Sequence, residues 1–323
     1  MIILKNATYI DWQSLDFSET NILVEEGIDS KMSLISDSEL EKYKNSEVID
    51  CSGKFVTKSF GVGHHHVYSS LARGMGAPKK NPKDFQEILK YVWWTLDKCL
   101  NEEMIKYSAL TTAIACAKAG STFVIDHHAS PFAVKNSLEI IAKAFDQVGV
   151  SHLLCYEISD RDGKDITDKG LEETASYIQT NQGLVGLHAS FTVGKDTLKK
   201  AVGLMNKYNS GIHIHVAEDL SDQNHCLKTY GKNVVNRLFE SGVLYSSKTI
   251  LGHCLHLEEE ERGLICNSPV WVVQNMESNL NNKVGYFSAK DLGNNIMLGT
   301  DGMHSDMLQS AKFAFFAGQN TDI

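Results

Sequence analysis

"FVTKSFGVGHHH", residues 55–66, is an apolar run that ends in three consecutive histidines. Read as a strand, its side chains alternate faces, so His64 and His66 point one way and His65 the other. Two imidazoles one strand step apart can grip one metal ion. A polar loop near a turn accommodates the same cluster. The choice between them rests on whether the chain repeats the pattern.

It does. Similar apolar runs occur near 121–128 ("STFVIDHH"), 151–158 ("SHLLCYEI"), 183–190 ("GLVGLHAS"), 211–218 ("GIHIHVAE"), 249–255 ("TILGHCL"), 270–275 ("VWVVQN") and 295–301 ("NIMLGTD"). Helical stretches lie between them. In "SLEIIAKAFDQVG" apolar residues recur at three and four, and "KDTLKKAVGLMNKYNSG" closes on an Asn, Ser and Gly stop. Eight strand–helix units predict an α/β fold, a (β/α)8 TIM barrel over residues 56–323. A doubly wound open sheet is the alternative, but it usually announces a glycine-rich phosphate loop, and neither GxGxxG nor GxxxxGK[ST] is present. Residues 1–55 read instead as short strands between turns, a small β-sandwich segment.

Composition narrows the partners. The chain has 323 residues, 42% hydrophobic and 22% charged, enough to bury a sizeable core. Its net charge of −9 argues against nucleic acid, which needs a basic footprint. Seven scattered cysteines without a CxxC pair argue against a disulfide framework and for a reducing cytoplasm. Cys254 sits in "GHCLH", where its apolar context reads as core packing. The N-terminus lacks the regions of a signal peptide, and no apolar run is long enough to span a membrane.

Several of the apolar runs end in His, Glu or Asp, and the C-terminal ends of barrel strands form the active-site face. The tips carry His64 and His66, Asp126 with His127 and His128, His188, His215 with Glu218, His253, and Asp301. Imidazole and carboxylate suit a borderline metal such as zinc or ferrous iron. His213 and His215 share a strand face, so spacing alone leaves the ligand of that run ambiguous. Glu218, three residues past His215, is placed to move a proton between water and substrate. The run "YVWWTL" reads as helix core or pocket wall.

At these residues the chain resembles the amidohydrolase superfamily, in the branch of cytosine, guanine and S-adenosylhomocysteine deaminases and atrazine chlorohydrolase. Within it, the chain is similar to SsnA-type aminohydrolases. The resemblance runs in order through "HHHVYSSLARGM", "VIDHHASP", "GLHASFT", "HIHVAE", "GHCLHL", "QNMESNLNNKVG" and "GTDG". It implies one divalent ion, Zn2+ or Fe2+, held by His64, His66, His215 and Asp301. It also implies that Glu218 shuttles the proton, that His253 and Asp301 poise the water, and that His188 contacts substrate. His128 is a second substrate-contact candidate, Asp126 a brace for the rim, and His65 and His213 are expected to pack against the barrel wall. The implied reaction is hydrolytic deamination of a small purine- or pyrimidine-like heterocycle by a metal-bound hydroxide. Opening of a cyclic amide and displacement of a halide use the same parts, and a catalytically dead relative that only binds ligand is the other alternative.

The chain departs from this family at Lys58 and Ser59, where relatives usually carry Pro-Gly, and at Gln274–Met276, where they often read "HNP". Relatives continue past the position of Ile323 with strands that complete the sandwich, so the expectation here is a sandwich without those partners. Unpaired strand edges favour association, and either a truncated product or a homodimer that covers the edge is the expected state.

Overall fold

Apolar side chains at every second position build the N-terminal sheet. In β1 (Ile2–Ile10) Ile3, Ala7 and Tyr9 are buried, and in β2 (Phe17–Val24) so are Ile22 and Leu23. These strands pair antiparallel, β3 (Met32–Ile35) joins β2, and β4 (Glu47–Asp50) and β5 (Phe55–Val56) both pair with β1 in parallel. The computed structural model describes residues 1–27 and 31–319. It divides into two compact units, Met1–Ser59 and Phe60–Ile323.

The second unit alternates strands and helices. Its strands are β6 (Phe60–His65), β7 (Ser121–His128), β8 (Ser151–Tyr156), β9 (Val185–Ala189), β10 (Ile212–Val216), β11 (Ile250–His253), β12 (Trp271–Gln274) and β13 (Ile296–Leu298). All pair in parallel, in a three-stranded sheet ordered β6-β7-β8 and a five-stranded sheet ordered β13-β12-β11-β10-β9. Isolated parallel bridges join His65 to Asp301, Leu154 to Gly183 and Ile158 to Leu187. Every residue of β9 and β10 is buried, which parallel strands covered on both faces require.

The helices between them follow local chemistry. Asn101 caps Glu102–Lys118 by accepting the Met104 N–H at 2.9 Å. Ser137–Val148 buries Leu138, Ile141, Ala142, Ala144 and Phe145 on one stripe and ends at Gly149, whose φ of 84° allows a left-handed cap. The connection after β6 is less regular. It runs through a 3-10 turn, Val67–Gly74, and then a short helix, Phe85–Ile88, that widens into a π-turn at Leu89–Trp93 before Trp94–Cys99.

Gly186 in β9 packs directly on β8. A Cβ there would lie 2.3 Å from the Tyr156 carbonyl oxygen, whereas one at Gly203, inside the helix Lys195–Lys207, would meet nothing within 4 Å. Gly186→Ala therefore destabilises the protein by about 1–3 kcal/mol or more. Gly203→Ala leaves stability unchanged or raises it by about 0.5–1 kcal/mol. Chemical denaturation of the two variants side by side checks the contrast.

Candidate active site

The strand ends bring most of the sequence-selected residues to one place. His64 and His66 point to the same side, as period-two alternation requires, while His65 turns away and bonds the Thr300 hydroxyl through Nδ1 at 2.8 Å. Asp301 Oδ1 lies 3.2 Å from His64 Nε2 and 3.0 Å from His66 Nε2. His66 Nε2 lies 3.1 Å from His215 Nε2. Ligand atoms of His64, His215, His253 and Asp301 all fall within 4.8 Å of one another, and so do those of His66, His127 and His215.

Hydrogen bonds on the far side of each ring fix where the lone pairs point. His66 Nδ1 donates to the His127 carbonyl and His215 Nδ1 to the His188 carbonyl, both at 2.7 Å. In a neutral ring each Nε2 is then bare. Two bare nitrogens face each other beside a carboxylate oxygen, and that convergence calls for a positive charge. The electrostatics agree. Burial disfavours charge on His66, but the hydrogen bond and charge of Asp301 outweigh it and raise the imidazole to about 9. At His64 burial wins and lowers it to about 3. Three imidazoles and a carboxylate, held from behind, fit a divalent cation.

His213 does not pack against the strand wall. Its Nε2 bonds His64 Nδ1 at 2.9 Å, because it shares the inward face with His215 and sits one step deeper. His253 Nδ1 donates to Asn279 Oδ1 at 2.8 Å, and its Nε2 faces Glu218 Oε2 at 3.6 Å. Burial and the Asp301 charge raise the Glu218 carboxyl well above the ordinary range, which favours its protonated form. Ala217, His253, Cys254 and Asp301 all have positive φ, between 45° and 66°. Such strain in non-glycine residues clusters at functional sites. The turn at Ala217 is pinned by Asp222, which accepts the Ala217 N–H at 3.1 Å and the Phe191 N–H at 3.0 Å.

A cavity opens onto this cluster. Its wall includes His66, His188, His215, Glu218 and Asp301, together with Tyr68, Phe85, Leu89, Trp93 and Trp94. His188 turns Nδ1 to the Thr192 hydroxyl at 2.7 Å. The "YVWWTL" segment is thus pocket wall rather than helix core at Trp93 and Trp94. His128 lies behind that wall, bonded to Ser130 Oγ at 2.9 Å and packed between Tyr68 and Tyr156. Asp126 accepts the Val67 N–H at 2.7 Å, which fixes the turn after His66. Cys254 is buried, and burial pushes its thiol pKa up. Sequence reasoning passed over Glu157, another wall residue. The signal was available, since Glu157 ends the apolar run "SHLLCYEI" as the histidines end theirs. Ser278 and Asn279, which hold Asp301 and His253, gave no such signal on their helix.

Comparison with known proteins agrees with the geometry. A family model described as "Amidohydrolase family" matches residues 63–321. The 5'-deoxyadenosine deaminase of Methanocaldococcus jannaschii is 28% identical over 317 residues, covering 95% of this chain and 71% of that protein. The structure of atrazine chlorohydrolase TrzN from Arthrobacter aurescens TC1, complexed with zinc, superposes with a TM-score of 0.84 at 17% identity, covering 100% of this chain and 77% of that one. E. coli guanine deaminase gives a TM-score of 0.80 at 18% identity, covering 99% and 78%. These neighbours make the fold TIM-barrel-type α/β. Among the described residues, no helix is long and apolar enough to cross a membrane.

Removing the Asp222 carboxylate strands two buried backbone donors at the turn that presents Glu218. Asp222→Ala should lower stability by about 2–4 kcal/mol in denaturant titration and reduce the metal retained after purification.

Proposed function

The chain belongs to the amidohydrolase family, and from that premise we propose that it is a metal-dependent aminohydrolase that hydrolytically deaminates a small nitrogen heterocycle. The observation that carries this reading is the convergence of His66 Nε2, His215 Nε2 and the Asp301 carboxylate, with the Glu218 carboxyl beside them, on one cavity wall. His64, His66, His215 and Asp301 hold the ion, zinc or ferrous iron. That ion supplies the Lewis acidity that makes water nucleophilic at neutral pH. The two strand sheets, bridged at His65–Asp301 and Leu154–Gly183, serve as one closed eight-stranded barrel, with residues 1–55 as a separate sandwich segment.

The protein's own groups handle protons and position. Asp301 and His253 flank the point from which water approaches the amino-bearing carbon, and Asp301 accepts a proton from that water. Glu218 gives its proton to the adjacent ring nitrogen, which lowers the cost of charge building up there, and recovers one from the adduct's hydroxyl as the C–N bond breaks, while Asp301 hands the proton it accepted to the departing amine. Asn279 and Ser278 keep His253 and Asp301 in register. His188 presents Nε2 to the cavity as a substrate contact, with Nδ1 held by Thr192. Trp93, Trp94 and Phe85 supply apolar surface for a planar ring and keep bulk water out. Ammonia and an oxo-heterocycle leave.

Elemental analysis should find about one zinc or iron per chain, lost in Asp301→Ala. Screening amino-heterocycles for ammonia release then tests the reaction. Glu218→Gln should keep the metal and lower kcat by about 10²–10⁴-fold. A metal-free wild type that cannot be reconstituted would overturn the reading.

A further inference from the structure

One buried charged group on the cavity wall has no part in that chemistry. Glu157 follows the last residue of β8, and it is only 6% exposed. The polar groups that face its carboxylate leave it under-served. Arg161 Nη2 stands 3.9 Å away, beyond hydrogen-bond length. That guanidinium leans elsewhere: Nη2 donates to Asp97, Nε faces Asp162 at 3.1 Å and the group lies over the Trp94 ring, while Nη1 finds no hydrogen-bond partner among the described residues. His127 Nδ1 stands 3.3 Å away, but its Nε2 donates to the carbonyls of Leu187 and His213. With Nε2 carrying its hydrogen, His127 offers Glu157 a donor through Nδ1 only when the ring holds a second proton. Burial works against the charge on Glu157, yet His188, His127 and Arg161 outweigh it and hold the carboxyl below its ordinary range. A buried carboxylate on a cavity wall requires donors, and an occupant of the cavity can supply them.

Position says which part of the occupant supplies them. A Glu157 oxygen lies within 4.8 Å of ring nitrogens of both His188 and His215, and His215 Nε2 is 3.1 Å from His66 Nε2. This is less than the width of a bicyclic heterocycle from the reacting centre. Glu157 therefore meets the ring itself rather than a distant substituent such as a sugar. The aromatic groups around it offer faces and edges for a flat ring to stack on, whereas a carboxylate on its rim accepts N–H groups.

We propose that Glu157 is the specificity-determining acceptor of the site, taking hydrogen bonds from N–H groups on the heterocycle. It selects amino-substituted lactams and amidines that keep a ring N–H or a second amino group away from the attacked carbon. The proposal rests on the aminohydrolase reading and deepens it. Arg161 acts as a positioning residue, tying the Glu157 side of the wall to Asp97 and Trp94.

The test uses compound pairs on the metal-loaded protein. Guanine, isocytosine and cytosine are each compared with their ring-N-methylated counterparts. Dissociation constants come from quenching of tryptophan fluorescence, with ammonia release followed in parallel. On the wild type, methylation of the N–H that Glu157 accepts should weaken binding by about ten- to a hundredfold. Glu157→Leu, which has no acceptor, should erase most of that discrimination while keeping its metal and its affinity for the methylated compounds. Equal binding of both members of every pair by the wild type overturns the proposal without any variant being needed. Undiminished discrimination by Glu157→Leu overturns it too, as does loss of metal in step with loss of binding. Ammonia release without sensitivity to methylation sinks this proposal alone. No binding and no ammonia release from any compound sinks the aminohydrolase reading and this proposal with it.

Discussion

Two imidazole nitrogens aimed at each other across 3.1 Å, with a carboxylate beside them, are the constraint on which the site depends. Bare nitrogens in that arrangement repel, and a positive charge, as a proton on His66 or a cation, relieves the repulsion. The protein maintains it because the far nitrogen of each ring is fastened to a backbone carbonyl of the neighbouring strand, His66 to His127 and His215 to His188. Each fastening uses a group the parallel sheet already holds in place. The unfavourable convergence is therefore built into the strand register and cannot relax by ring rotation without breaking a buried hydrogen bond.

The same economy governs the strained backbone. Four residues of the site take left-handed conformations, each costing about 1–3 kcal/mol. Side chains beyond the cavity hold them there. Asp222 gathers two backbone donors under the turn at Ala217, Asn279 holds His253, and Ser278 holds Asp301. The turn at Ala217 sends Glu218 back over the strand end that carries His215. A relaxed backbone would carry that carboxyl away from His253.

Much of this was legible in the sequence because one rule generates it. Apolar runs buried on both faces make parallel strands, and a polar residue at the end of such a run must face the active-site rim. The rule placed His64, His66, His188, His215, His253 and Asp301. It was weaker where local spacing carried less information than packing. Period two put His213 and His215 on one face, but only depth along β10 separates the residue that meets Asp301's partner ring from the one that supports His64 from below. His128 ends an apolar run as His188 does, yet the turn after β7 tucks it behind Tyr68 and Tyr156. Ser278 and Asn279 act from a helix whose sequence reads as ordinary polar surface.

The irregular connection after β6 explains why the chemistry was easier to read than the substrate. The groups proposed to activate water and move protons sit at or just past strand ends, whose directions are set by the sheet. The apolar wall comes from Phe85, Leu89, Trp93 and Trp94, on a short helix and a π-turn that no simple periodicity predicts. That wall is tied down by Arg161–Asp97 and by Lys98–Asp162 at 2.7 Å, both reaching to the segment just past β8. Glu157 sits at the start of that segment, so the charged group facing the cavity and the anchors of its aromatic wall are held by one stretch of chain.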